Sequence, residues 1–245
     1  TMSLTLQQYI EWVEAGTLDA KSVISAYQKK AKEHCRQGTN ALISTNEAYV
    51  ESHEKEALKK KLHGAPIIAK DIILIKDTIT TCGSHMLEDF VAPYTATCWQ
   101  KLEDAGALLI GKANMDEFAM GSGNENSYFW PVKNIYGTNK IPGGTSGWSA
   151  IAVAADLCVA ALGTDTGWSV RQPAAMCNIV GLKPTYGRIS RYGVQAMSSS
   201  FDQVGVMTKT VEDAAIMLDI VAWGDDNDAT NVEKDDHASW FSALK

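Results

Sequence analysis

The sequence predicts an α/β fold in which helices alternate with buried strands. Apolar residues recur at helical spacing over residues 4–62, and again over residues 211–221. Two short apolar runs between them, residues 66–75 and 107–111, have the composition of strands that are buried on both faces. Such alternation is typical of a layered α/β domain.

The remaining elements and the domain plan follow from the same patterns. Residues 97–105 predict a helix, whereas residues 153–162 fit either a helix or a strand. We expect a single domain with three parts. Residues 1–62 form a helical lead-in that packs outside the core, residues 63–222 form the core, and residues 223–245 form a polar tail. The abrupt end at Lys245 leads us to expect a truncated domain.

Composition excludes several classes of function. The 245 residues are 45% hydrophobic and 21% charged, and the net charge of -7 argues against a chain that binds nucleic acid by its own field. The five cysteines form no CxxC pair, so we expect neither a disulfide framework nor a zinc site, and a reducing cytosol fits best. Asp156 interrupts the longest apolar run, residues 151–162, which is shorter than the roughly 18 residues of a membrane helix.

Two glycine-rich loops carry serines, at residues 143–149 (GGTSGWS) and 163–174 (GTDTGWSVRQPA). A hydroxyl held among backbone N–H groups at a tight turn suits a nucleophile beside an oxyanion hole. Neither loop is a GxSxG elbow or a GxxxxGK[ST] phosphate loop, so the α/β-hydrolase and P-loop interpretations lose their main support.

A serine nucleophile needs a base, and the histidines are poor candidates. They lie mostly in charged helical stretches or in the acidic tail. Lys70 is a better candidate because it interrupts an apolar run, and burial lowers the pKa of a lysine toward the range in which it is a neutral base. A structural role for a strand lysine stays open at this point.

Neighbouring polar residues have structural interpretations. We expect Asp165 and Arg171 to form an ion pair or a turn cap that fixes the second loop. We expect Ser146 and Ser149 to form hydrogen bonds with the loop backbone. Asp71 follows the candidate base in a strand, so its side chain is expected on the opposite face and outside the site. The thiols Cys82 and Cys177 are expected to be small buried side chains.

Three segments, residues 64–71, 142–149 and 165–174, resemble the amidase signature family in order and spacing. Further stretches resemble in particular the A subunits of glutamyl-tRNA(Gln) amidotransferases: residues 114–121, 125–127, 181–188 and 210–215. The resemblance implies a mixed β-sheet layered between α-helices.

The resemblance also implies a site. It places the base on Lys70, a bridging hydroxyl held by a cis peptide bond on Thr145, and the acyl-forming nucleophile on Ser169. The interval from Thr145 to Ser169 equals the family's interval between its bridging and nucleophilic serines. The oxyanion hole would be formed by the N–H groups of Thr166, Gly167, Trp168 and Ser169.

The implied activity is the release of ammonia from glutamine for conversion of Glu-tRNA(Gln) to Gln-tRNA(Gln). The implied partners are the amidotransferase subunits B and C, with tRNA contacted only through a partner. ATP and Mg would be used by the partner subunit, with no cofactor or metal in this chain. Two alternatives stay open: a catalytically inactive fragment or assembly subunit, and a free-standing amidase of another substrate.

The sequence departs from the family pattern at the bridging residue, where Thr145 replaces serine, and at four tryptophans that stand where the family has glycine: Trp130, Trp148, Trp168 and Trp223. We expect Trp148 and Trp168 to block the site and strain its loops, particularly if φ at Trp168 is positive. One hypothesis explains all four, namely UGA codons that the source organism reads as glycine.

Overall fold

The computed structural model describes residues 3–36, 42–137, 139–232 and 239–244. The strands are β1 (Leu42–Thr45), β2 (Ala65–Lys70), β3 (Ala107–Ala113), β4 (Ala160–Asp165), β5 (Val180–Leu182) and β6 (Gln203–Thr208). The helices are α1 (Leu6–Glu14), α2 (Ala20–Arg36), α3 (Glu47–Ala57), α4 (Thr97–Asp104), α5 (Gly147–Ala154), α6 (Arg171–Met176), α7 (Val211–Val221) and α8 (Trp240–Ala243).

The strands form one mixed sheet in the order β1-β3-β2-β4-β6-β5. At its centre β2 runs parallel to β3 and to β4, while β1, β6 and β5 pair antiparallel with their neighbours. Because Ala69 pairs with Leu162, the carboxyl ends of β2 and β4 meet at one edge of the sheet. The residue that ends β2 therefore lies beside the loop that follows β4.

Apolar side chains cover both faces of the sheet, as the alternation of a strand requires. Ile67 belongs to the cluster that includes residues of α1, α4 and α7, whereas its neighbour Ile68 belongs to the cluster that includes residues of α3, α5 and α6. Ile67 and Ile68 are both fully buried. The prediction of a mixed sheet between helical layers is confirmed.

Individual elements agree with the sequence pattern where it is strongly periodic. Helices α4 and α7 occupy the predicted segments, and the ambiguous residues 153–162 are divided between the end of α5 and the start of β4. No helix in the described ranges is both long and apolar enough to cross a membrane. The lead-in, predicted as helical throughout, also contains the edge strand β1, because pairing with β3 across the sheet, as in Thr45 with Gly111, stabilises four residues of mixed polarity.

The segment predicted as a polar tail contains buried aromatic contacts. Trp223 is 8% exposed, and its ring stacks on that of Trp240 with centroids 5.3 Å apart. Trp240 and Phe241 also pack against the first core cluster. The described part of this segment therefore contributes apolar surface to the domain.

Asp156 connects the N-terminal helices to the sheet. Its carboxylate accepts hydrogen bonds from Tyr27 at 2.8 Å and from Lys30 at 2.5 Å, both on α2, and from Lys209 at 2.5 Å. Lys209 also donates to the carbonyl of Leu4 at 2.6 Å. The residue that breaks the longest apolar run is thus a polar junction between three parts of the chain.

Candidate active site

Lys70 ends β2 and is fully buried. Its Nζ donates to Thr145 Oγ1 at 2.5 Å and to Thr164 Oγ1 at 2.9 Å. Burial lowers the pKa of Lys70 to about 7, although the charge of Asp116 opposes the shift. Near neutral pH a large share of this amine is uncharged and is able to accept a proton.

Thr145 stands at the start of α5, and the peptide bond between Gly144 and Thr145 is cis. The resemblance implied such a bond at this position. The preceding Gly143 has φ 79, and a Cβ there would lie 3.0 Å from the Cα of Pro173. Only glycine fits this turn comfortably, since it needs a left-handed backbone and close approach to α6.

Ser169 lies in the turn between β4 and α6 and is 6% exposed. Its backbone carbonyl accepts a hydrogen bond from the N–H of Ser146 at 3.1 Å. That bond joins the two glycine-rich loops directly. The residues predicted as base, bridge and nucleophile therefore come from three separate segments that meet at the same edge of the sheet.

The turn predicted as the oxyanion hole directs its carbonyls toward α6. The carbonyl of Gly167 accepts from Arg171 Nη2 at 2.7 Å, and that of Trp168 accepts from the N–H of Gln172 at 2.9 Å. Within the described part of the chain, the N–H groups of Gly167, Trp168 and Ser169 donate no hydrogen bond. Three donors beside a serine are suited to stabilising a developing oxyanion.

Asp165 and Arg171 form the predicted structural ion pair, with Arg171 Nη2 2.9 Å from Asp165 Oδ1. Asp165 Oδ2 also accepts from Arg171 Nε and from the N–H of Val170, each at 3.0 Å. Burial raises the pKa of Asp165, but these bonds outweigh it and leave the pKa below its ordinary value. The pair caps the start of α6 and shapes the turn that carries Ser169.

The serines near Thr145 bind backbone, as predicted. Ser146 Oγ donates to the carbonyl of Thr164 at 3.1 Å and accepts from its N–H at 3.2 Å. Ser149 Oγ donates to the carbonyl of Leu162 at 3.0 Å. Both serines fasten α5 to β4.

The thiols of Cys82 and Cys177 are buried, which raises the pKa of each to about 12, so they are not activated nucleophiles.

A second buried lysine escaped the sequence analysis. Lys112, in β3, is fully buried, and its Nζ lies 3.0 Å from Asp71 Oδ1 and donates to Thr80 Oγ1 at 3.0 Å. Asp71 Oδ2 accepts from the N–H and the hydroxyl of Thr81. Asp71 is thus half of a buried ion pair, whereas Lys70 contacts hydroxyls. Lys70 and Lys112 each interrupt an apolar strand, so that pattern applies equally to both lysines.

The expectation that Trp148 blocks the site is wrong. Trp148 lies in α5, is fully buried in the second core cluster and packs edge-on to His34 with centroids 5.5 Å apart, so it does not block the site. Trp168 is 52% exposed and is not among the left-handed residues. Left-handed backbone occurs instead at Trp130, with φ 77, and at Trp223, with φ 71. These two lie outside the two glycine-rich loops.

Among the described residues, no group of three His, Cys, Asp or Glu side chains is placed to hold a metal ion.

The match to a known family is decisive, because a family model described as Amidase covers residues 22–244. The chain belongs to the amidase family. The candidate site residues Lys70, Thr145 and Ser169 all lie within the matched range.

Relatives of this amidase chain include the A subunit of the glutamyl-tRNA(Gln) amidotransferase of Coxiella burnetii, which is 55% identical over 202 residues, or 80% of this chain and 42% of that protein. The crystal structure of the same subunit from Thermotoga maritima matches with a TM-score of 0.82 and 41% identity, covering 95% of this chain and 49% of that one. A peptide amidase from Stenotrophomonas maltophilia matches with a TM-score of 0.90 and 33% identity, covering 98% and 52%. The chain spans about half the length of these relatives.

Proposed function

We propose that this chain carries the catalytic residues of a glutamine amidohydrolase, the A subunit of a tRNA-dependent amidotransferase. The observation that carries the proposal is the contact between the buried amine of Lys70 and the hydroxyl of Thr145 at 2.5 Å, beside the turn that holds Ser169. The similarity to proteins named as the A subunit of glutamyl-tRNA(Gln) amidotransferase supports glutamine as the amide substrate.

In the acylation step, Lys70 in its neutral form accepts the proton of Thr145, which in turn accepts the proton of Ser169. Ser169 Oγ attacks the carboxamide carbon and forms a C–O bond, and the carbonyl oxygen becomes an oxyanion. The N–H groups of residues 166–169 are the proposed donors to that oxyanion. Return of the proton to the amide nitrogen allows the C–N bond to break, so ammonia leaves and an acyl ester remains on Ser169.

In the second step, water attacks the ester carbon and gives its proton to the same base. The C–O bond to Ser169 breaks, the serine regains a proton, and glutamate leaves. Thr145 differs from the family's serine by one methyl group and keeps the hydroxyl that the relay needs. Thr164, whose hydroxyl also accepts from Lys70 at 2.9 Å, holds the amine in place between transfers.

We propose subunits B and C as partners, since the relatives are named as subunits of an amidotransferase. The ammonia would be used in a partner subunit, where ATP and Mg would also act. The net charge of -7 supports the proposal that the partner, rather than this chain, contacts tRNA. Cytoplasmic localisation is consistent with this role and with the buried free thiols.

Two other functions have specific support. The similarity to a peptide amidase favours a free-standing amidase with another carboxamide substrate. The indole of Trp168, which stands in the turn that carries Ser169 and is 52% exposed, favours an inactive fragment or assembly subunit. The three alternatives differ in whether Ser169 is acylated and by which amide.

Trapping of the acyl intermediate tests the proposal. The chain is incubated with γ-glutamyl p-nitroanilide, or with a peptide p-nitroanilide as the competing substrate, then quenched in acid and mapped by peptide mass spectrometry. A γ-glutamyl adduct on Ser169 supports the glutaminase, and an adduct from the peptide substrate alone supports the other amidase. An adduct on Ser146 or Ser149 contradicts the assignment, and a chain that forms none in the presence of the partner subunits is an inactive fragment.

A further inference from the structure

The carboxylate of Asp116 packs against the backbone of Gly144, the residue that precedes Thr145. Asp116 is fully buried, and its two oxygens accept three backbone hydrogen bonds. Oδ2 accepts from the N–H of Asn124 at 3.0 Å, and Oδ1 accepts from the N–H groups of Glu125 at 2.9 Å and Asn126 at 3.0 Å. A buried carboxylate with this many donors is rigidly held and folds the loop around itself.

The same carboxylate is in contact with the backbone next to the bridging residue. A Cβ added at Gly144 would lie 2.4 Å from Asp116 Oδ2 and 2.9 Å from the backbone nitrogen of Asn124. A Cβ added at Gly121 would lie 2.4 Å from Asp116 Cγ. The carboxylate therefore fills a slot between two glycine backbones, so any side chain at position 144 would displace either Asp116 or the segment leading to Thr145.

The charge of Asp116 also acts on the base. Burial is the largest influence on Lys70 and lowers its pKa, while the groups that raise it are Asp116 first, then Asp165, Asp202 and the Cys82 thiol. Asp165 is already paired with Arg171. Asp116 is instead held by neutral backbone N–H groups, so its charge is the less compensated of the two.

We propose that Asp116 is a positioning residue for amide hydrolysis, which holds Thr145 Oγ1 against Lys70 Nζ through Gly144 and supplies a fixed negative charge near the base. The proposal rests on the proposed function, since it takes Ser169 as the nucleophile. It assigns a role to residues 114–121, a stretch whose resemblance to the family had no function attached to it.

The test uses the full chain and an alkyl fluorophosphonate, which does not require recognition of glutamine. Ser169 Oγ forms a bond to phosphorus, the P–F bond breaks, fluoride leaves, and the serine proton passes through Thr145 to Lys70. Peptide mass spectrometry gives the rate of labelling from pH 5 to 10. Circular dichroism establishes that each variant is folded.

In Asp116→Asn we expect labelling to slow about 10- to 100-fold, because the relay is displaced. We also expect the midpoint of the pH profile to fall by about one unit, since a charge that favours the protonated amine is lost. Gly144→Ala should slow labelling similarly, because its Cβ would displace Asp116 or the segment leading to Thr145, and its midpoint should move less than that of Asp116→Asn, since the carboxylate is retained. Asp104→Asn, an exposed matched control, should change neither quantity.

An unmoved midpoint in Asp116→Asn would overturn the proposal, because packing alone would then explain a slower rate. If Asp116→Asn does not fold, an unchanged rate in Gly144→Ala overturns it. The proposed function fails by a different result, read on the unsubstituted chain: an adduct on a residue other than Ser169, or no adduct at any pH.

Discussion

The amine of Lys70 and the hydroxyl of Thr145 lie 2.5 Å apart, and both residues are fully buried. Seventy-five positions separate them in the chain. Strand β2 supplies the amine, and the segment that enters α5 supplies the hydroxyl. An amine and a hydroxyl held at this distance in a buried position form a path along which one proton can pass.

Replacing Lys70 should abolish turnover, because the relay loses its base. Lys70→Ala should lower the rate of ammonia release at least about 1,000-fold. Lys70→Arg should fail as well, since a guanidinium stays protonated. Lys59→Ala, at a residue whose side chain is 60% exposed, is the control and should be active. Substantial activity in Lys70→Arg would mean that the lysine acts only through its charge or packing.

The pH dependence should follow the amine of Lys70, whose pKa burial lowers to about 7. Because the neutral amine is the active form, the rate should rise about tenfold per pH unit below that value and level off above it. Measuring kcat/KM between pH 5.5 and 9 gives the profile. A rate that falls as the pH rises from 6 to 8 would contradict the assignment.

The hydroxyl of Thr145 should matter more than its methyl group. Thr145→Ser keeps the relay, so we expect activity within about tenfold of the original chain, whereas Thr145→Val is nearly isosteric and should lose about 100-fold or more. Ammonia release from both variants, compared at the same pH, gives the measurement. Equal activities in the two variants would exclude this hydroxyl from the proton path.

Asp156 should contribute a pH-dependent part of the stability. Burial raises the pKa of its carboxyl, but hydrogen bonds from Lys209 and Lys30 outweigh burial and leave the pKa below 3.8. The carboxylate is therefore stabilising above that value, and the contribution is lost as the pH falls through the lowered pKa. We expect Asp156→Asn to cost about 2–3 kcal/mol at pH 7 and progressively less below pH 4. Urea unfolding at both pH values measures this, and an equal loss at pH 3 and pH 7 would contradict it.

Trp130→Gly should stabilise the chain by about 1 kcal/mol, because a side chain at φ 77 is strained and 69% of this residue is exposed, so little packing is lost. Trp168→Gly is the control, since its backbone is not left-handed. Trp223 has φ 71 just beyond the end of α7, a position that glycine usually occupies. Trp223→Gly would relieve backbone strain but would also remove the stacking on Trp240, which offsets the gain in stability.

Thermal unfolding of the tryptophan variants tests the backbone argument, and a lower melting temperature in Trp130→Gly would contradict it. The gene sequence tests the decoding hypothesis. UGA at codons 130, 148, 168 and 223 supports glycine at all four positions, whereas UGG codons would sink the hypothesis.

Part of the candidate site was predictable from the residues, and part was not. The residues themselves pointed to the two serine-bearing glycine-rich loops and to Lys70 as the candidate base, and the family resemblance placed the bridging hydroxyl on Thr145 and the nucleophile on Ser169. The apolar pattern alone did not distinguish Lys70 from Lys112, because each interrupts an apolar strand. Their partners separate them: Lys112 lies against the carboxylate of Asp71, while Lys70 lies against two hydroxyls.

The sequence by itself determined the α/β class, the long helices and the chemistry of the loops, because helical and strand periodicity and turn glycines are local properties. Only the tertiary structure decided that residues 42–45 form a strand, since those four residues gain their hydrogen bonds from β3. It likewise decided that Trp148 is core and that Asp116 lies against Gly144. Such contacts depend on which segments meet across the sheet, and that is set by packing of the whole domain rather than by any local pattern.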